Sequence, residues 1–471
     1  MPGCALAKLP FKPREQSAEL GRQLFFFGQR AGSELMRPDG SSVMRTSSAQ
    51  ARALWMSTIA FTVCFAVWTI FSIIGVRIKD ELGLNDTEFG LLIGTPILTG
   101  SLVRIFLGIW TDRFGGRVVY TLTMLAASVA TVLLAFAHTY TQTLLAALGV
   151  GLAGGSFAVG VAYVSRFFDS SRQGTALGIF GVGNVGAAVT KFLAPFVLLA
   201  SGWQAVALIW AAALVVMAVV FWFTTSDDPV LMERRRTGAA PKTFMLELGA
   251  LRKVQVWRFA LYYFFVFGGF VALALWLPRY LIGAYGLDIA TAGMIGASYS
   301  IPASIFRAYG GVLSDRVGAR KVMYWSLLVS AAATLILSLP PTNYVMRGIK
   351  GEIAFHFEIG LPAFIAVAFV LGFFMSLGKA AVFKHIATYY PGNVGAVGGL
   401  VGMIGGLGGF FLPIAFGALN DLTGLWSSCF MLLFAIVVGL VVWMDVSIRR
   451  MEREVRAPSA AVPAQALCAA E

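Results

Sequence analysis

Charge is what this 471-residue chain has least of, and negative charge least of all: Asp, Glu, Lys and Arg make up 13% of it, with 23 acids against 36 Lys and Arg. An ordinary soluble domain carries about 25% charged residues. So little charge excludes a water-exposed globular surface. With 58% hydrophobic residues and a mean hydropathy of +0.79, the chain reads as an integral membrane protein. Cysteine is also scarce. Cys4, Cys64, Cys429 and Cys468 are scattered, which excludes a metal spacing or a disulfide framework. The three histidines do no more: His138 and His356 fall in outer loops and His385 at an inner helix end. No nucleophile–base pair, metal cluster or phosphate loop is legible, so neither an enzyme nor a cofactor or metal site is expected. Glycine, by contrast, is abundant at 52 residues, as suits membrane helices whose backbones approach closely.

A spanning helix needs about 20 mostly apolar residues. Twelve are expected, near 54–76, 88–111, 118–137, 141–166, 174–200, 204–224, 257–283, 289–313, 321–339, 360–383, 393–418 and 426–446. With both termini inside, 27 Lys and Arg lie on the inner side and five outside, namely Arg77, Lys79, Arg279, Arg347 and Lys350. That bias sets the orientation. The net charge of +13 is therefore a topological signal and not a nucleic-acid footprint. The expected division is a basic cytoplasmic tail (1–53), a six-helix bundle (54–224), an inner loop (225–256), a second six-helix bundle (257–446) and a C-terminal cytoplasmic tail (447–471). Residues 1–53 read equally as sequence upstream of a start at Met36 or Met44. "LFFF" at 24–27 is too short for a signal-peptide core.

The remaining four cations, Arg104, Lys191, Arg307 and Lys379, lie within the membrane. Arg104 and Arg307 belong to a repeat. Gly108, Asp112 and Arg113 return as Gly311, Asp315 and Arg316, each offset by 203 positions like the arginines. Gly174, Gly178 and Gly181 return as Gly395, Gly399 and Gly402 at an offset of 221, and the surplus 18 residues fall in the outer loop around 340–359. Two parallel six-helix repeats are the plan of a rocking transporter with its site between the halves. Each arginine lies eight residues from the Asp at the inner helix end. At 1.5 Å per residue that is about 12 Å into a core about 30 Å thick. A charge there is costly and should face a partner, yet every Asp and Glu maps to a tail, loop or helix end. Buried cations without a protein anion call for a bound one. A guanidinium keeps its charge and presents a flat fork to a flat oxyanion.

The turns "GIWTDRFGGR" and "GVLSDRVGARK" resemble the G-x-x-x-D-R-x-G-x-R motif of the major facilitator superfamily. The helices "GTALGIFGVGNVGAAVTKFLAPF" (174–196) and "GNVGAVGGLVGMIGGLGGFFLPI" (392–414) resemble the two signatures of its nitrate/nitrite porter (NarK-type) family. The resemblance spans roughly 54–446. It implies an all-α fold of twelve transmembrane helices in two pseudo-symmetric bundles, and transport of nitrate, with nitrite, by antiport or proton symport. Arg104 and Arg307 would hold the anion, Phe157 and Phe267 would wall a flat slot, and Tyr263 and Asn184 would donate hydrogen bonds. Gly178, Gly181, Gly183, Gly186, Gly399, Gly402, Gly405 and Gly406 would let helices press and slide. Lys191 and Lys379, read with the signature helices, would bind a second anion, pair with substrate or titrate. Gly181, Gly183 and Gly186 also fit G-x-G-x-x-G, but no strand precedes them and no acid follows at the required distance, so a dinucleotide site is excluded. The expected partners are nitrate, nitrite, lipid and protons, the expected state a monomer in a bacterial inner membrane. The competing readings are an organic-phosphate or other small-anion antiporter of the same superfamily, and an anion sensor that moves nothing.

Overall fold

The computed structural model describes residues 48–238, 253–390 and 394–456. Most of the expected basic tail, the middle of the 225–256 loop and the C-terminal stretch lie outside them. The apolar runs become α1 (Ser48–Leu82), α2 (Asp86–Phe114), α3 (Gly116–Leu134), α4 (Tyr140–Ser165), a 50-residue segment Thr175–Thr224, α7 (Val254–Tyr285), α8 (Ile289–Val317), α9 (Ala319–Leu337), α10 (Leu361–Tyr389), α11 (Val397–Thr423) and α12 (Ser428–Arg453). Gly202 at φ +82° breaks the long segment. Its two parts, α5 (175–201) and α6 (203–224), bring the spans to the expected twelve.

The sequence repeat returns in the backbone. Gly115 and Gly318, after the two D-R motifs, both adopt φ +93° with extended ψ. An L side chain is strained at that φ, so each α2–α3 and α8–α9 corner requires its glycine. The 18-residue surplus forms a hairpin, β1 (Thr342–Gly348) antiparallel to β2 (Gly351–Phe357), standing between α9 and α10.

Several helices lose regular α-geometry at mid-length; α1 is interrupted at Thr69–Ile70 and α4 at Gly151. A 3₁₀ turn occupies Val182–Val185 in α5, a π-turn occupies Phe264–Gly269 in α7, and α8 and α11 break at Phe306 and Leu407. Irregular backbone at membrane depth persists only where protein or a cavity satisfies it, and such turns gather at functional sites.

The seam between the two halves is built from α2 against α11 and α5 against α8. The part of it near Asp86, Gly90 and Gly417 closes backbone on backbone. A Cβ added at Gly417 would lie 2.0 Å from the Asp86 carbonyl oxygen, one at Gly90 2.2 Å from that of Pro413, and one at Gly293 2.5 Å from that of Lys191. The part toward the D-R motifs is looser: a Cβ at Gly178 would come no nearer than 4.0 Å to Ala308, and one at Gly399, Gly108 or Gly311 would meet nothing within 4 Å. In this conformation the seam is shut at the Asp86–Gly417 end and looser toward the two D-R motifs. Gly417→Val is therefore expected to lower the melting temperature of the purified protein, by the ~1–3 kcal/mol typical of overpacking, and Gly108→Val to leave it unchanged. Equal melting of the two variants would contradict the asymmetry.

Candidate functional site

The arginines of α2 and α8 reach the interior. Arg104 is 4% exposed and Arg307 7%. Burying a guanidinium costs several kcal/mol on insertion scales, and the surroundings offset only part of it. Arg104 Nη1 donates to the Gly402 carbonyl of α11 at 2.7 Å, while its Nε and Nη2, and Nη1 of Arg307, have no partner. Among the described residues no carboxylate pairs with either guanidinium.

Aromatic faces surround both. The Phe157 ring of α4 lies 5.4 Å from the Arg104 guanidinium carbon and 5.6 Å from that of Arg307. Phe267 and Trp68 complete the shell of Arg104 at 5.5 and 5.6 Å, and Phe383 faces Arg307 at 5.5 Å. Ring faces attract cations at these distances, each by about 0.5–2 kcal/mol, but they accept no N–H fork. Behind Phe157, Phe180 stacks on it at 5.9 Å and Phe61 stacks on Phe180 at 4.9 Å, so the wall is rigid. Trp68 is fixed by its indole N–H to the Pro96 carbonyl at 2.8 Å.

Tyr263 stacks on Phe267 at 4.9 Å and 11° and is fully buried, with an unpartnered hydroxyl. It lies within electrostatic reach of Arg104, as does Arg307. Asn184, in the 3₁₀ turn, is fully buried with both amide atoms unpartnered. Each of these four buried polar side chains thus holds an orphaned donor, and away from water an unmade hydrogen bond costs about 1–3 kcal/mol.

The glycines divide by task. Gly402 and Gly406 leave room for Arg104 Nη1, and a Cβ at Gly406 would also meet the Ser101 hydroxyl at 2.6 Å. Gly181 lies over the Arg307 side chain, from 3.2 Å. Gly183 and Gly186 seat α5 on Phe61 and on the α1 backbone, and Gly405 seats α11 on Tyr263. Gly178 and Gly399 touch nothing closely.

Lys191 and Lys379 are also buried, Lys379 within electrostatic reach of Arg307, and they converge on one stretch of α8. Lys191 Nζ donates to the Ser300 hydroxyl. Lys379 Nζ donates to the Ala303 carbonyl at 2.6 Å, 3.5 Å above the Phe270 ring. Lys379 sits on α10, one helix before the second signature, which corrects the reading that grouped it with the glycine-rich helices. The D-R motifs lie at the inner ends. Asp112 pairs with Arg166, whose Nη1 also meets Asp228 at 3.1 Å, and Arg234 donates to the Asp112 carbonyl at 2.5 Å. Asp228 caps the short helix Pro229–Thr237, locking it beneath α2. In the second half Asp315 makes one exposed pair, with Lys384 at 2.5 Å. Arg113 lies over the Phe114 ring at 5.4 Å, and Arg316 is exposed.

Sequence reasoning missed Trp68 and Phe383, for which composition carries no signal among 38 phenylalanines and 11 tryptophans. It also missed the outer closure. Asp421, at the end of α11, accepts from the Asp86 and Thr87 backbone N–H groups at 3.1 and 2.8 Å, capping α2 from the other half. Asp86 in turn pairs with Lys79 at 3.2 Å and Arg279 at 3.3 Å and accepts from Asn420.

A paired, repeated, carboxylate-free arginine centre between two matching halves can now be compared with known proteins. The signature of the Major Facilitator Superfamily matches residues 56–294 and again 280–468. The chain belongs to that superfamily. It is 41% identical to a Thermus thermophilus protein named "Probable nitrate/nitrite antiporter NarK1", over 85% of this chain and 92% of the relative. It is 34% identical to "Probable nitrate/nitrite transporter NarK2" of Mycobacterium tuberculosis, over 79% and 90%, and 28% identical to the "Nitrite extrusion protein" of Bacillus subtilis, over 83% and 93%. In fold it is similar to a bacterial homolog of the human lysosomal transporter Spinster, with a TM-score of 0.61, 18% identity, and 85% of this chain and 96% of that one covered. This member of the superfamily is an integral membrane transporter, not an enzyme.

Asp86→Asn should strand Lys79 and Arg279 and destabilise the protein by roughly 3 kcal/mol, the scale for breaking a buried pair. Adding Lys79→Met should recover part of the lost melting temperature. Failure of the second substitution to recover any would contradict the pairing.

Proposed function

We propose that the chain carries nitrate, exchanging it for nitrite across a bacterial plasma membrane with both termini on the cytoplasmic side, and that it works as a monomer of two bundles, 54–224 and 257–446. The observation that carries this reading is the buried pair Arg104 and Arg307, with orphaned N–H groups and no acidic partner. The names of its relatives point to the same pair of anions.

A planar oxyanion between the guanidiniums accepts from the free Nε and Nη2 of Arg104 and Nη1 of Arg307, and offers an edge to the Tyr263 hydroxyl and the Asn184 amide. Phe157 and Phe267 line flat faces against it. A tetrahedral phosphate ester would push a fourth oxygen into a ring, which disfavours the organic-phosphate reading. The absence of a large soluble signalling domain among the described residues removes the motive for the sensor reading. Exchange follows from electrostatics. Without an anion the two cations repel and resist being drawn together, and a bound anion neutralises them so that the halves can rock.

The inner ends part first, because the outer seam is glycine-tight and capped by Asp421. The bond from Lys191 to Ser300 joins α5 of one half to α8 of the other, so it must break when the outer side opens. Lys379 acts through Arg307. The break at Phe306 deprives the Ala303 carbonyl of the Arg307 backbone N–H that would complete a continuous helix, and Lys379 Nζ takes its place. It thereby holds the bend that aims Arg307 inward. A second reading, nitrate/proton symport, is favoured by one observation, the burial of both lysines in protein, where a proton can be held and released.

Arg104→Lys and Arg307→Lys are each expected to abolish labelled-nitrate counterflow in proteoliposomes although charge is kept, because an ammonium has no fork. Near-parental counterflow in either would overturn the site. Counterflow driven by internal nitrite without a proton gradient supports exchange, and a strict need for the gradient supports symport. Lys379→Met is expected to raise the KM for nitrate about tenfold or more with a smaller change in maximal rate. A fall in rate at unchanged KM would contradict a positioning role.

A further inference from the structure

The 18 surplus residues of the second repeat have no part in the anion path, and they form the β1–β2 hairpin. Its register pairs Tyr344 with Phe355, Met346 with Ile353 and Thr342 with Phe357 on one face, and Asn343 with His356, Val345 with Ala354 and Arg347 with Glu352 on the other. Side chains alternate across a sheet, so the first face is almost wholly apolar and the second largely polar. On the polar face a His356 ring nitrogen meets the Asn343 carbonyl oxygen at 2.7 Å. On the apolar face the Tyr344 and Phe355 rings stack at 5.0 Å and 15°.

Among the described residues nothing covers the apolar face. Tyr344 is 45% exposed, Met346 52%, Ile353 55% and Phe355 44%. At the tip Ile349 is fully open to solvent, between Arg347 and Lys350. An isolated two-stranded hairpin is marginal in water, so this face needs a partner.

Three features select the bilayer as that partner. The hairpin is rooted at the membrane boundary on both sides, for α9 ends at Leu337 and α10 begins at Leu361. Its tip carries two of the five outer Lys and Arg in a chain that otherwise keeps its cations inside; cations flanking an exposed isoleucine match phosphate headgroups above acyl chains. Finally, an apolar face bearing a Tyr and a Phe, backed by a polar one, is the composition that settles at the headgroup boundary.

We propose that the β1–β2 hairpin folds down onto the outer leaflet, with Tyr344, Met346, Ile353 and Phe355 at the headgroup–acyl boundary and Arg347 and Lys350 on lipid phosphates. It is a membrane-surface anchor for α9 and α10, and it is independent of the identity of the transported anion.

The test uses the full chain in lipid nanodiscs with Cys4→Ser and Cys468→Ser, the other two cysteines being buried. An environment-sensitive fluorophore is attached at Met346→Cys or, separately, at Val345→Cys on the opposite face. The label at position 346 should emit blue-shifted and be quenched several-fold more by brominated lipid than by aqueous iodide, with the reverse order at position 345. Ile353→Asp with Phe355→Asp should transfer the 346 label to iodide quenching while melting in detergent stays unchanged. Equal iodide quenching at both positions would overturn the proposal, as would shielding of position 346 from both quenchers, which would mean that a protein or a second copy covers the face.

Discussion

Everything else in this molecule answers to two guanidiniums held out of water without a counter-charge. Inserting each costs several kcal/mol, and the ring faces of Phe157, Phe267, Trp68 and Phe383 return part of it without satisfying the N–H groups. Irregular backbone lies beside the same residues: a 3₁₀ turn holds Asn184, a π-turn follows Tyr263, and helix breaks fall beside Arg307 and Gly406.

Both arginines also tie one half to the other. Arg104 comes from α2 in the first half yet hydrogen-bonds to Gly402 on α11 in the second, and Arg307 on α8 packs beneath Gly181 on α5. Each arginine therefore spans the seam that must open. One end of the seam is closed tightly at Gly90, Gly293 and Gly417 and by the Asp421 cap on α2. At the other end the halves are braced separately, the first by its Asp112–Arg166–Asp228 cluster and the second by the more exposed Asp315–Lys384 pair, and neither set crosses the seam. The two repeats are alike in sequence and unlike in how firmly their inner ends are tied.

Much of this was legible in the chain. The offset of 203 positions places two arginines at equal depth, and the same offset reappears as equal φ at Gly115 and Gly318. Apolar length gave the spans, with Gly202 separating two that run together. Contacts between residues far apart in sequence were not legible. That Phe383 rather than another phenylalanine faces Arg307, and that Asp421 caps a helix more than 330 positions away, depend on how the halves dock. Local pattern carries no record of that. Lys379 was visible as a buried charge, but its bond to the Ala303 carbonyl lies beside a break in α8 that Pro302 alone does not announce.

The most direct measurement is equilibrium binding of labelled nitrate to the purified protein in detergent, where neither gradient nor transport enters. The account predicts saturable binding of one anion per chain, displaced by nitrite and left undisturbed by phosphate. Absence of saturable binding, or displacement by phosphate as effective as that by nitrite, would contradict it.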